Sequence, residues 1–568
     1  MAPIAVRVTM WASMSALSAF SALSSYSAPA PSLRMTLPAS WDESWFGSPA
    51  VFDLDGNGTP EIIAGCHSVL YVWDSKGKPI WRAPVGAEGS LADLHGSFRQ
   101  YAGPVVGDFN GDGKGEIAIA YDNKAIIYDA TGKIRAGWPQ PFPGPAGEIR
   151  SLTAADLDDD GEMEILAMKT SAGPVTVAWK LNGGIAPGWP QTKGCEKCND
   201  YGGYHQNIGA ADLDGDGKPE VVSAYDMAYI GIMHGTGAPF PSHTSFSEAG
   251  PWASSVPMFH DILFARRGWG AVGNDRDEFT HSPPVFGDLD GDGLPEIILY
   301  SDHEKAGEYL IRGNCLWALN PDMTRVAGFE KPLCSDAPLF TGFVENIVQV
   351  APSPALVQLR GDARPEIIVP SYDGLMRCYG PDGKLLWEYR FDTAGGDTIG
   401  ASGAVAGDLD KDGIPEIVFT TYSPVPLKSH LIVLDAAGKE LHKAPLSKRG
   451  CMGAPTLADV DGDHRPEIIL GLKDAVGSGL GAVQIWDVAG AGDALLPWPT
   501  GRGNTLRTGQ GPKSVSTRMA GATRPVSAPT KVNLARSVWP FRHWFRNLLG
   551  AQKPSGVTRR GDNPPVSD

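Results

Sequence analysis

The 568-residue chain contains no run approaching the roughly eighteen uninterrupted apolar residues a membrane-spanning helix needs, so no transmembrane helix is expected. Basic residues are also in deficit, with 48 Lys and Arg against 65 Asp and Glu and a formal charge of −17. Nucleic acid is therefore a poor partner, because neutralising phosphates takes clustered Lys and Arg. The deficit is uneven. From Gly511 to Asp568 ten Lys and Arg face two Asp, which separates an acidic body from a basic, largely disordered tail over 511–568. Cysteine is scarce and odd in number, at seven. Cys195 and Cys198 form a C-x-x-C in a loop, with no second such pair and no helical pattern after it. That disfavours zinc or redox chemistry and leaves disulfides or free thiols. Cys315 with Cys334 would close a second local loop in an oxidising compartment.

What is abundant is turn chemistry. Seventy Gly and 47 Pro, with 42% hydrophobic residues, describe a turn-rich folded chain and favour an all-β reading. Residues 1–30 place Arg7 before a Ser/Ala/Leu/Met stretch and the small-residue segment Ser27-Ala28-Pro29-Ala30. This is the order of a signal peptide, although serines interrupt its apolar core and Pro31 sits awkwardly after a cut at Ala30. A secreted, cell-surface or periplasmic location follows from it.

One motif recurs along the chain. DLDGNGTPE begins at Asp53, DFNGDGKGE at Asp108, DLDDDGEME at Asp156, DLDGDGKPE at Asp212, DLDGDGLPE at Asp288, DLDKDGIPE at Asp408 and DVDGDHRPE at Asp459. An eighth stretch, QLRGDARPE from Gln358, keeps the ending and loses the acidic start. Successive starts lie 55, 48, 56, 76, 70, 50 and 51 residues apart, so the two wide gaps mark insertions. Each motif is followed by a β-branched run such as EIIAG or EIVFT, then by a second run ending in Asp and a glycine turn, as in VLYVWDSKGK, then by a Trp-bearing run such as IWRAP. Four short strands in about fifty residues make one propeller blade. The expected fold is an all-β propeller over about 45–510, with eight four-stranded blades, or seven if the degenerate sixth unit forms none. The Trp-Pro pairs at Trp138, Trp189 and Trp498 read as packing at equivalent blade positions.

The spacing D-x-D-x-D-G-x-x-E offers oxygens from positions 1, 3, 5, 7 (through its carbonyl) and 9, a hard donor set that suits Ca²⁺. The predicted ligands are Asp53, Asp55, Asn57, Thr59 and Glu61; Asp108, Asn110, Asp112, Lys114 and Glu116; Asp156, Asp158, Asp160, Glu162 and Glu164; Asp212, Asp214, Asp216, Lys218 and Glu220; Asp288, Asp290, Asp292, Leu294 and Glu296; Asp408, Asp410, Asp412, Ile414 and Glu416; Asp459, Asp461, Asp463, Arg465 and Glu467. Twenty-eight of the 65 acidic residues fall in these seven motifs, where like-charge repulsion without a counter-ion would oppose folding. Bare Asp-Gly turns would use the same residue types, but not side chains kept at alternate positions seven times. Asn57, Asn110 and His464 predict weaker sites in the first, second and eighth units. In the sixth, Arg360 stands where the ion's charge would be, poised to bridge Asp362 or Glu366.

These motifs resemble the FG-GAP/VCBS repeat family, whose repeats also build the N-terminal heads of integrin α subunits. The resemblance covers about residues 45–510 and implies a propeller whose ions are structural. It does not fix function, since such repeats occur in adhesion heads, sugar-binding modules and some polysaccharide lyases. The insertion between the fourth and fifth units carries His243, Trp252, His260, Arg266, Arg267 and Trp269, a mixture suited to a saccharide or to packing beneath a loop. His205, His260 and Arg267 are the candidates for catalysis, yet none lies in a recognisable lyase signature. The Arg560-Gly561-Asp562 tripeptide is a weak pointer to an integrin, and the aromatic, Arg-bearing stretch from Ser537 to Gly550 to an anionic membrane or another subunit. The reading favoured by sequence is a non-enzymatic calcium-bearing binding or adhesion protein for carbohydrate or a protein partner, with a polysaccharide lyase as the alternative.

Overall fold

The computed structural model describes residues 28–512 except 40–42, 45, 86–98, 146, 192–200, 271–274, 305–312, 336–349, 362, 393–399, 475–480 and 490–494. The C-x-x-C at Cys195 and Cys198, Asp362, the first 27 residues and the basic tail lie outside the described residues.

Each acidic loop sits between an innermost strand, the shorter of the two in every unit but the third, and a second strand that begins on the motif's own glutamate. The innermost strands are Ala50–Phe52, Val105–Gly107, Ile149–Ala155, Ile208–Ala211, Val285–Gly287, Ala355–Val357, Val405–Gly407 and Thr456–Ala458. In every unit the last innermost residue pairs with that glutamate, from Phe52 with Glu61 to Ala458 with Glu467. The result is eight antiparallel sheets, including one for the degenerate sixth unit. Six sheets have four or five strands. In the third and fourth the outer strand shrinks to single bridges, Trp179 with Ile185 and Met233 with Pro239.

The β-branched second strands are buried along their length, as in Glu61–Cys66 and Glu416–Tyr422. Both faces of a sheet are apolar, so each must be covered by a neighbour. Hydrophobic clusters accordingly lie between blades: Ile63, Val72, Ile117 and Ile126 join the first to the second, and Ile62, Ile469 and Ile485 join the eighth to the first.

Both ends of the ring depart from the repeat, and the N-terminal one also from the expected boundary at residue 45. Strand Ser32–Ala39 belongs to the ring, pairing with Gly481–Asp487 as the outer strand of the last blade. N- and C-terminal segments thus share one sheet, which ties the two ends of the ring together. At the other end, residues 495–511 run through the centre. The innermost strands of six blades bond to this segment: Val106, Ala154, Ala210, Phe286, Ala406 and Leu457 donate to Thr505, Leu506, Thr508, Gly509, Trp498 and Pro499 carbonyls. Trp498 is 1% exposed, packed with Ala355 and Ala406 in this central segment, so it is not equivalent to Trp138 and Trp189 as the shared Trp-Pro dipeptide suggested. Among the described residues no helix is long and apolar enough to cross a membrane.

Candidate functional site

The acidic loops share one hydrogen-bond scheme. The first aspartate accepts from the sixth residue's amide, as Asp53 from Gly58, Asp288 from Gly293 and Asp459 from His464, at 2.8–3.0 Å. The fifth accepts from the seventh, as Asn57 from Thr59, Asp292 from Leu294 and Asp412 from Ile414, each at 2.8 Å. The glutamate gives one oxygen to the second residue's amide in all eight units, from Leu54 with Glu61 to Val460 with Glu467, at 2.5–2.9 Å. The fourth and sixth positions take left-handed backbone, as at Gly291 (φ 89°) and Gly293 (φ 93°), which turns the chain around a small volume. Carboxylate oxygens remain for a cation there: those of Asp53, Asp55 and Glu61 lie within 4.8 Å of one another.

The loops differ in what faces the glutamate's second oxygen. In the sixth unit Arg360 Nε meets Glu366 at 2.5 Å, in keeping with the role expected of it. Three intact loops carry a cation in the same place, which the sequence reading did not foresee. Arg135 meets Glu116 at 2.8 Å; Lys180 meets Asp158, Asp160 and Glu164 at 2.9, 3.1 and 3.3 Å; and Arg34, from the N-terminal strand, meets Glu467 at 3.0 Å and Asp461 at 2.8 Å. His234 lies 3.1 Å from Glu220. Among the described residues no basic side chain reaches Glu61, Glu296 or Glu416. Burial, with the neighbouring aspartates adding to it, pushes the Glu416 carboxyl up to about 8 and that of Glu296 to about 7.

The acidic loops follow the innermost strands, and the connections from blade to blade precede them, so the two sets open on opposite faces. By the position of their described ends, the connections from Ala83 to Val105, Trp179 to Ile208, Met233 to Val285 and Ser335 to Ala355 belong to the second set. On that face, at the axis, the segments leading into the innermost strands surround a small hollow lined by Ser48, His205, Gln206, Ser353, Gly403 and Arg502, among others.

The catalytic candidates fall into separate neighbourhoods. His205 is buried at the hollow against Phe46 and His281, and burial holds its ring well below the usual histidine range. His260 lies outward, its ring stacked on His303 and its Nε2 2.7 Å from buried Asp277, which also accepts from Ser301 and Trp317. Arg267 ends a six-residue helix, Ile262–Arg267, with its guanidinium over Phe264. Of the insertion, Phe246, Val256, Met258 and Phe259 are buried against the fourth and fifth blades, Trp269 packs on Tyr229 and Phe259, and Trp252 is 37% exposed. Cys315 and Cys334 are joined as a disulfide. Sequence reasoning missed Asp277, Arg502 and Arg507, which sit in no repeated pattern.

Fold and loops together define a propeller of acidic-loop repeats. Residues 53–119 and 108–167 match the FG-GAP-like repeat model, which bears out the resemblance for the first three loops. No curated protein sequence matches the chain. Similar solved structures include the rhamnogalacturonan lyase YesW, at 15% identity and TM-score 0.45 over 80% of this chain and 76% of that one. The rhamnogalacturonan lyase PL11 of Bacillus licheniformis gives 14% and 0.44 over 80% and 75%, and the Dos1 propeller 9% and 0.45 over 80% and 97%. Likenesses this distant say nothing of activity.

Proposed function

We propose that the chain is an exported propeller stabilised by Ca²⁺ that binds a carbohydrate or protein partner on the face bearing the long connections. The observation that carries the binding half is the segregation of loops. The repeated acidic loops lie at one end of the innermost strands, and the blade-to-blade connections enter those strands at the other end, where the insertion between Met233 and Val285 adds loop residues to a rigid ring, the kind of place where binding residues collect. The Cys315–Cys334 disulfide fits an oxidising compartment.

The donor set fits calcium: hard carboxylate oxygens around a tight turn, with the seventh-position carbonyl to complete them. Bound there, the ion would supply positive charge that fixes the loop between two strands. The need is greatest at the first, fifth and seventh units, where Glu61, Glu296 and Glu416 have no basic neighbour among the described residues, and least at the third, where Lys180 spans three carboxylates.

Chelation should therefore lower the melting temperature, and metal analysis should find calcium bound. Glu416→Gln should remove more of the calcium-dependent rise than Glu164→Gln. An unchanged melting curve with no alkaline-earth metal in the protein would end the calcium reading. A glycan array tests the binding half; turnover of uronate polymers, seen as ultraviolet absorbance of unsaturated products, would replace it with an enzyme.

A further inference from the structure

The central segment buries two guanidiniums, Arg502 at 1% exposure and Arg507 at 2%. Their surroundings differ. Arg507 is fully engaged by oxygens: Nε donates to Pro104, Nη1 to Thr500 and Gly501, and Nη2 to Ser48 and Pro49. Arg502 donates from Nη1 to the Leu152 carbonyl and from Nη2 to that of Ile208, and its Nε has no partner among the described residues. Among the described residues neither meets a carboxylate. Both also hold left-handed backbone, φ 63° and 60°, a conformation that costs a non-glycine residue roughly 1–2 kcal/mol and persists only where surroundings enforce it.

Arg502 lines the axial hollow, whose wall includes Ser48, His205, Gln206, Ser353 and Gly403 and, among the described residues, contains no Asp or Glu. The carboxylate of Glu43, which reaches the amides of Met452 and Gly453, is already taken by them and by the Cys451 thiol. His205 is held neutral by burial and by the nearby positive charge. The axis thus carries two desolvated positive charges and a donor left unmet, an arrangement that costs free energy unless an opposite charge approaches. The hollow leaves about 20 Å³ of free space, where one water-sized particle needs roughly 10–15 Å³.

From this we infer that the axial hollow is a site for a single small anionic group, a halide ion or one carboxylate of a ligand, held by Arg502 with Ser48, Gln206 and Ser353 as neutral neighbours. The inference stands apart from the calcium loops, which lie on the other face, and holds whether or not that face binds a larger partner.

Crystals of the full chain soaked in bromide and measured at the bromine edge test it. An anomalous peak in the hollow within hydrogen-bonding reach of Arg502 Nε is the expected result, with a melting temperature that rises with bromide at constant ionic strength. Gly403→Ala places a methyl in the wall, 3.1 Å from the Ser353 carbonyl, without touching Arg502. That variant should fold, lose the peak and lose the bromide-dependent rise. A parallel soak in halide-free acetate separates the sources: a planar carboxylate in the hollow assigns the site to a ligand's acid group, and bromide alone assigns it to a free ion. Water in the hollow under both soaks, with no halide effect on melting, overturns the inference.

Discussion

At the scale of single residues, the acidic loops show how one spacing serves two purposes. The carboxylate at position nine is a structural anchor in all eight units, including the sixth, where the first two aspartates are gone. The remaining oxygens are the ones on which a cation can act, and the chain itself supplies Arg135, Lys180, Arg34 or Arg360 in four units. The glycines matter for a different reason. A Cβ added at Gly293 would meet nothing within 4 Å, so Gly293→Ala tests backbone conformation alone. At φ 93° the variant should be destabilised by about 1–2 kcal/mol in chemical unfolding, with no change in the loop's carboxylate side chains. The loop carboxylates and glycines were legible in the sequence because the spacing of carboxylates is local chemistry, repeated. Asp277, Arg502 and Arg507 were not, because their meaning comes from segments that meet only in the folded ring.

At the scale of elements, tryptophans from one blade fasten the next. Trp81 Nε1 donates to the Ala130 carbonyl, Trp138 to Leu181, Trp189 to Gly235 and Trp387 to Ala436, each reaching the strand-to-strand turn of the following unit at 2.9–3.0 Å. The turn glycine lets the indole lie close, since a Cβ at Gly438 would fall 2.5 Å from the Trp387 ring. Trp387→Phe keeps an aromatic face on that turn and deletes the donor, so it should cost about 1 kcal/mol in urea unfolding, and Trp387→Ala clearly more. A loss no greater for alanine than for phenylalanine would show that the ring's packing contributes nothing. The Trp-bearing strand was readable from its place after each Asp-Gly turn. Trp498 was misread because the same dipeptide, in the last unit, belongs to the central segment, and dipeptide identity carries no information about which carbonyl lies opposite.

At the scale of the ring from Ser32 to Gly511, two closures hold the circle. The outer one is the strand Ser32–Ala39, fixed to the last blade by seven residue pairs and by Arg34, which reaches Asp461, Glu467 and Asp487. It escaped the sequence reading because it precedes the first acidic motif and has no repeat partner of its own. The inner one is the segment from Leu495 to Gly511, which accepts a backbone bond from six of the eight blades. At roughly 0.5–1.5 kcal/mol each, those six bonds amount to several kcal/mol, comparable to the whole net stability of a typical domain. Removing the segment would also strip cover from the Ala355 and Ala406 side chains that Trp498 now shields. A chain ending at residue 494 should therefore melt well below one ending at residue 512, with broader unfolding as blades lose their common tie. If the two melt alike, the axis is filled without being held, and closure rests on the outer strand alone.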